Sequence, residues 1–238
     1  RHLPPSDVYT HCLTVLKHAC DLEACYPDLV LRWAALLHDI GKVPTRAPKP
    51  GGGVTFYQHE IVGARMVRKR LRALKYSRQM INDISQLVYL HLRIHGYGDG
   101  EWTDSAVRRY VTDAGPLLDR LNLLVRADCT TAREWKRKQQ QALVDNLEAR
   151  IAELREKEDL EAIRPDLDGN EIMQILGLNP GPEVGKAWAY LKNLRIEQGP
   201  MEHDEAVAAL QNWWAGHAGS TERAGSVERT GSAERQEE

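Results

Sequence analysis

Little in this sequence would build a sheet, a membrane span or a zinc knuckle. It has a single Phe and few runs of β-branched residues, which argues against a large sheet. No apolar stretch approaches the ~20 residues that a membrane-crossing helix needs. The four cysteines, Cys12, Cys20, Cys25 and Cys129, form no C-x-x-C pair. That spacing argues against a zinc knuckle or a dithiol redox motif and reads as reduced, mostly buried thiols in a cytoplasmic protein. Net charge is scarce too: 32 Lys and Arg against 34 Asp and Glu leave −2, so any contact with nucleic acid must come from a local basic patch. An initial Met and a signal-peptide pattern are also lacking. The chain starts at Arg1, and the expectation is a fragment or a processed chain, with no membrane partner.

What is present is helical periodicity. The 238 residues, 42% hydrophobic and 28% charged, suffice for one sizeable core and a smaller appendage. Residues 4–24 begin with Pro4-Pro5 and Ser6, a plausible N-cap, and continue in a helical apolar pattern. Asp28 to Gly41 carries Leu29, Trp33, Leu36, Leu37 and Ile40 at helical spacing, with Gly41 as the stop. Pro44 to Gly53 reads as a loop, because its prolines and the run Gly51-Gly52-Gly53 suit neither regular element. Helices are predicted again at about 57–75, 78–95 and 104–113. From Gly115 to Ile163 almost no breaker occurs, which gives two helices in series. The second, Ala132 to Ala162, is highly charged, with Trp135, Leu143, Leu147, Ile151 and Leu154 on one stripe, and reads as a projecting arm. Pro165 ends it. Asp166-Leu167-Asp168-Gly169 then turns into a short helix at Asn170–Leu176, followed by helices at 182–198 and 203–215. Three near-copies of six residues, of the type A-G-S-T-E-R, close the chain between Ala218 and Arg235 and read as disordered, since they hold almost nothing to bury. The divisions expected are therefore a body at 1–131, an arm at 132–163, a helical tail at 164–215 and a disordered terminus at 216–238. The fold class is all-α.

The chemistry gathers in histidines and aspartates. His38-Asp39 ends an apolar helix and runs into Ile40-Gly41-Lys42, His11 lies upstream on the first helix, and Asp128 lies far downstream. Two imidazoles and two carboxylates from three helices can enclose a divalent cation inside a bundle. The alternative for the pair alone is a satisfied core His38 with a capping Asp39. The order H…HD…D, with H-D-I-G-K as written here, resembles the HD superfamily of metal-dependent phosphohydrolases. The resemblance implies an HD-type helical bundle in which His11, His38, Asp39 and Asp128 hold a divalent metal ion, with Mg, Mn and Ni all open. It also implies Asp39 and Lys42 in catalysis, Lys42 as a charge for an oxygen of the phosphoester substrate. His59 and His91 follow in the order that a second metal takes in two-metal HD proteins. His91 and His95 stand four apart on the fourth predicted helix, and each His by itself is more often a polar helix residue than a ligand.

Between Arg65 and Lys75 six of eleven residues are basic, namely Arg65, Arg68, Lys69, Arg70, Arg72 and Lys75. Such a strip suits RNA or another polyphosphate, and its bland reading is a solvated helix face. Two stretches, Val54 to Ala64 and Arg164 to Met173, together with Gly177 to Ala187, resemble the bacterial CCA-adding tRNA nucleotidyltransferases that carry an HD domain. Over residues 3–215 the resemblance implies the body and tail of such an enzyme, with tRNA as partner. The N-terminal nucleotidyltransferase head of that family is missing from the stretch: neither a glycine-rich G-G-x-V-R-D loop nor a strand-borne D-x-D pair is found. Gln58 departs from the family pattern, which leads one to expect a second His beside His59. Two readings from different classes stand side by side here. One is a phosphohydrolase, acting on a phosphomonoester or a 2′,3′-cyclic phosphodiester, and the other is a non-catalytic tRNA-binding body with a structural metal. An independent nucleotide phosphohydrolase is a third.

Overall fold

A computed structural model of the chain describes residues 7–24, 26–94, 102–131, 133–160 and 163–227. It is an all-α protein, as the composition requires. Helices α1 (Val8–Leu22), α2 (Leu29–Leu37), α3 (Lys42–Thr45), α4 (His59–Ala73), α5 (Arg78–Leu90), α6 (Asp104–Ala114), α7 (Leu118–Ala127) and α8 (Glu134–Lys157) precede α9 (Gly169–Leu176), α10 (Pro182–Gln198) and α11 (His203–Val227). The chain falls into two compact units that divide between Lys157 and Glu158.

The first unit closes α1, α2, α4, α5 and α7 around an apolar core that includes Val15, Leu31, Val67, Leu71, Ile84, Leu87 and Leu121. Its helix starts follow local chemistry. Asp7 rather than Ser6, which lies outside the described residues, caps α1 by accepting from the Tyr9 amide. Asp28 accepts from the amides of Val30 and Leu31 at the start of α2, and Ser77 and Thr103 do the same for α5 and α6. Asp28 also takes a hydrogen bond from Arg120 on α7 at 2.6 Å, so one carboxylate both starts a helix and ties it to a neighbour.

Several expectations need correction. The helix read as Asp28 to Gly41 stops at Leu37, and Gly41 is not its left-handed stop: its φ is −68°. Its glycine is required by packing, because a Cβ there would fall 2.0 Å from the His59 carbonyl oxygen where α3 meets α4. The loop predicted at Pro44–Gly53 contains the end of α3 and one strand of a small antiparallel hairpin, β1 (Ala47–Pro48) with β2 (Val54–Thr55). Gly51, Gly52 and Gly53 turn it with positive φ. The helix predicted over 78–95 ends at Leu90, and His95 lies outside the described residues, as does Cys25. Helix α8 buries Val144, Leu147, Ile151 and Leu154 against α6 and α7, while Trp135 stays exposed. Three of the five residues of the apolar stripe read for an arm, Leu147, Ile151 and Leu154, thus belong to a packing seam of the first unit.

The second unit is built on Leu167, Ile172, Ala187, Leu191, Ala206 and Leu210. Asp168 and Glu171 form a reciprocal capping box on α9, Gly177 ends it at φ 64°, and Pro182 opens α10. Asp168 is committed to this cap, and Asp166 faces Arg195 at 3.5 Å, so the D-x-D letters here are structural. Helix α11 runs past Gly216, where the reading from sequence ended it, to Val227. Residues 228–238 lie outside the described residues.

Candidate metal centre

Six side chains remote in sequence meet inside the first unit, and most of them sit where a helix ends. His38, His91 and Asp128 are the C-caps of α2, α5 and α7, and His59 is the first residue of α4. His11 comes from α1. The turn after α2 is tightened by Ile40 N–H to the Leu37 carbonyl at 3.1 Å and Lys42 N–H to the Asp39 carbonyl at 2.9 Å. That turn lets the adjacent His38 and Asp39 side chains face one point, with His38 Nε2 3.3 Å from Asp39 Oδ2. Three helix C-termini converging here also bring the negative ends of three helix dipoles, which favours a cation.

The carboxylate of Asp39 divides the cluster in two. Its Oδ2 lies 3.3 Å from Nε2 of both His11 and His38. Its Oδ1 lies 3.3 Å from His59 Nε2 and 3.7 Å from His91 Nε2. Asp128 Oδ1 completes the first side, 3.1 Å from His11 Nε2 and 3.5 Å from His38 Nε2. Two groups able to hold a metal result among the described residues: His11, His38 and Asp128, and Asp39, His59 and His91.

The tautomers are set from behind. Nδ1 of His38, His59 and His91 meets the carbonyl three residues earlier, of Ala35, Phe56 and Val88, at 2.9, 2.9 and 2.6 Å. Thr130 Oγ1 holds His11 Nδ1 at 3.2 Å. With the proton on Nδ1, each Nε2 presents its lone pair inward, the arrangement in which histidine ligates metals. The Nε2 atoms of His59 and His91 are buried and make no hydrogen bond of good geometry, facing only Asp39 Oδ1, and a buried polar atom left so costs ~1–3 kcal/mol. The donor set therefore fits a divalent cation in chemistry as well as in place. Two nitrogens, His11 Nε2 and His38 Nε2, stand only 3.1 Å apart, near the ~3 Å spacing of neighbouring donors that bind one ion at ~2.0–2.2 Å each.

Without an ion, protons do part of its work. Hydrogen bonds to Asp128 and Asp39 raise the His11 pKa. Burial opposes charge on His38, and the same carboxylates outweigh it, raising that pKa to about 10. Burial also disfavours charge on Asp39 and Asp128, yet the surrounding imidazoles hold both carboxyls far below the usual range. On the other side burial dominates and the His91 pKa is lowered. Lys42 donates to Asp39 Oδ2 at 2.6 Å and lies over the Phe56 ring.

All six His and Asp residues singled out from sequence are thus brought together, with Lys42 beside them. Gln58 is exposed in a left-handed conformation ahead of α4, so the departure from the family pattern falls outside the cluster. The basic residues are not part of it: His59 turns inward from α4, whereas Arg65, Arg68, Lys69, Arg70, Arg72 and Lys75 are exposed. Arg68 is engaged by Ser85 at 3.0 Å. Cys12 and Cys129, next in sequence to two of the clustered residues, are buried free thiols pushed up to about 11 by burial. Thr130 escaped the reading from sequence, and no signal there could have found it, since its role depends on reaching His11 across 119 positions.

A bundle of this topology around a paired His-Asp and two flanking sets of imidazole and carboxylate defines the class. The profile of the HD domain family matches residues 8–133, and the chain belongs to that family. Among curated proteins it is 34% identical over 210 residues to an A-adding tRNA nucleotidyltransferase of Deinococcus radiodurans, covering 87% of this chain and 46% of that protein. It is 33% identical over 217 residues to a CC-adding tRNA nucleotidyltransferase of Thermus thermophilus, covering 90% of this chain and 46% of that one. The resemblance read from the Val54–Ala64 and Arg164–Met173 stretches is therefore matched by similarity over most of the chain, which spans less than half the length of these relatives. Among the described residues no helix is long and apolar enough to cross a membrane.

Proposed function

We propose that this chain is the HD body and tail of a tRNA nucleotidyltransferase of the kind its relatives represent, and that its metal centre hydrolyses phosphoesters. The single observation that carries the reading is Asp39, whose two oxygens face two imidazole sets with inward Nε2 atoms. His11, His38, Asp39 and Asp128 would hold one divalent ion, and His59 and His91 with Asp39 a second. When bound, the metal supplies Lewis acidity toward a phosphoryl oxygen and an acidified water. The protein's own part is orientation. Backbone carbonyls and Thr130 fix the imidazole rings, Asp39 fixes the distance between the two sets, and Lys42 adds positive charge at the mouth. The imidazoles suit Ni and the carboxylates suit Mg and Mn, so the mixed donor set leaves the choice among the three open.

The test combines elemental analysis with hydrolysis of a nucleoside 2′,3′-cyclic phosphate under added Mn²⁺, Ni²⁺ or Mg²⁺. Metal-loaded wild type that turns over, and His38→Ala and Asp39→Ala that do neither, is the expected result. Bound metal with no turnover of cyclic or monoester substrates would favour the second reading, a metal that only stabilises a tRNA-binding body.

Binding of tRNA is proposed for the α4 strip. Arg65, Lys69, Arg70, Arg72 and Lys75 are exposed and have no carboxylate partner among the described residues, so their charge is available to phosphates. Affinity should fall steeply with salt, because each phosphate contact releases counterions. Charge reversal at Arg65, Lys69 and Arg72 should weaken all tRNAs alike, and binding indifferent to salt and to these changes would leave only the solvated-face reading, with Arg70 and Arg72 favouring the α4 C-terminus. With no triphosphate cradle in these residues, the chain as given should add neither CMP nor AMP to tRNA.

A further inference from the structure

Helix α8 has two parts of different character. From Val144 onward it is seated, with Val144, Leu147, Ile151 and Leu154 buried. Its first two turns, Glu134 to Gln141, contain no buried residue. With Arg133 ahead of it, this stretch reads R-E-W-K-R-K-Q-Q-Q, four cations against one carboxylate, in a chain whose net charge is −2. The carboxylate, Glu134, is taken by Lys138 at 2.9 Å. That leaves Arg133, Lys136 and Arg137 exposed with no carboxylate partner among the described residues. Between them stands Trp135, 65% exposed. A tryptophan held in water forgoes the burial that normally stabilises it, and a helix face that only needs to be solvated has no use for one.

The chemistry of the stretch selects its partner. A helix that lies in a membrane surface needs an apolar face, and Trp135 is the only apolar residue from Arg133 to Gln141. A duplex offers phosphates, but its bases are stacked on one another. A single strand offers both, a phosphate at every nucleotide and the open face of a base, and such strands are held by aromatic rings set in a positive surface. The layout here suits that partner. Arg133 opens the helix, its carbonyl accepting from the Arg137 amide at 3.0 Å, so these two cations stand one turn apart. Trp135 shares its side of the helix with Lys138 and Gln139, three and four positions on. The α4 strip differs in kind: from Arg65 to Lys75 it has no aromatic residue, so it can grip phosphates but no base.

We propose that the first two turns of α8 bind single-stranded RNA, Trp135 stacking on an unpaired base while Arg133, Lys136 and Arg137 take the neighbouring phosphates. The inference rests on the tRNA reading above for the identity of the partner and adds a base contact at a separate surface. Fluorescence anisotropy of the full chain with labelled oligoadenylate tests it, the probe being used both single-stranded and annealed to oligouridylate. Trp135→Ala should weaken the single strand about tenfold, the size of one lost base stack, and leave the duplex unchanged. Trp135→Phe should restore most of the loss. Lys136→Glu combined with Arg137→Glu should weaken both forms and flatten the salt dependence. Helix content and metal content should not move in any of these variants, since the altered side chains are exposed. Charge reversal at Arg65, Lys69 and Arg72 should leave the effect of Trp135→Ala in place. Trp135→Ala that binds the single strand as wild type does would overturn the proposal while leaving the α4 reading intact. An equal loss on the duplex would overturn the preference for a single strand, and wild type that binds neither form would overturn both RNA readings. Tighter binding to vesicles of phosphatidylglycerol and phosphatidylcholine than to oligoadenylate, lost in Trp135→Ala, would replace the RNA with a membrane surface.

Discussion

The two units bury different things. The tail packs Leu167, Ile172, Ala187, Leu191, Ala206 and Leu210 together, and its buried charge, Arg195, is met by Glu158 at 2.7 Å and Asp166 at 3.5 Å. The body buries His38, Asp39, His59 and His91 and leaves the inward nitrogens of His59 and His91 without a hydrogen bond of good geometry. Burying polar groups costs free energy unless partners are built in. The tail has built them in for Arg195, leaving single oxygens of Asp166 and Glu183 without a hydrogen bond, while the body gathers its buried imidazoles and carboxylate into groups that could hold a metal ion. The contrast is between a cluster of donors able to hold a cation and an ion pair satisfied within the chain.

The strongest way to break the contrast is at Asp39. Asp39→Ala should remove both metal groups at once and lower metal affinity by more than the ~10–100-fold that loss of an outer partner costs. Elemental analysis of the purified variant checks this, and wild-type metal content would return Asp39 to a purely structural role. Next in size is Leu191→Ala in the tail. It should cost ~2–5 kcal/mol by leaving a cavity, read from urea unfolding, with metal content unchanged. Loss of metal in that variant would mean that the two units are not chemically separate.

A smaller and more selective effect is expected from His91→Gln. It touches only the second of the two groups, so metal stoichiometry should fall from two equivalents to one, and retention of both would remove His91 from the ligands. The smallest effect belongs to Asp28→Asn. Asparagine keeps the α2 cap and gives up the ion pair with Arg120, at a cost of ~1 kcal/mol or less near neutral pH. Burial raises the Asp28 pKa, but the Arg120 guanidinium and the Leu31 and Val30 amides outweigh it, so the net shift is downward. With a folded pKa below the unfolded one, the stabilisation is complete above the usual carboxylate range and disappears as pH falls through the lowered value. The difference between wild type and variant in chemical denaturation should therefore close on acidification, and a gap that persists in acid would assign the effect to the cap.

Much of the architecture was legible because it is local. Helical periodicity and the Asp166–Gly169 turn that starts α9 depend on residues within one turn of each other, whereas the N-cap read at Ser6 falls to Asp7. The errors came where packing overrode local signals. Gly41 looks like a stop yet serves the close approach of α3 and α4, and the 78–95 pattern is apolar beyond Leu90 although the helix ends there to present His91. Charge density on α8 suggested an arm, but a seam of Val144, Leu147, Ile151 and Leu154 suffices to seat one face, whatever the rest of the helix carries.

For the site, the sequence by itself determined the ligand types and their order, since H-D-I-G-K at a helix end and an upstream His need no coordinates to be noticed. It did not determine that Asp39 would face two imidazole sets or that Thr130 would hold His11. Those facts depend on the register at which α1, α4, α5 and α7 pack. That register is set by side-chain interdigitation between segments far apart in the chain, and only the tertiary structure contains it.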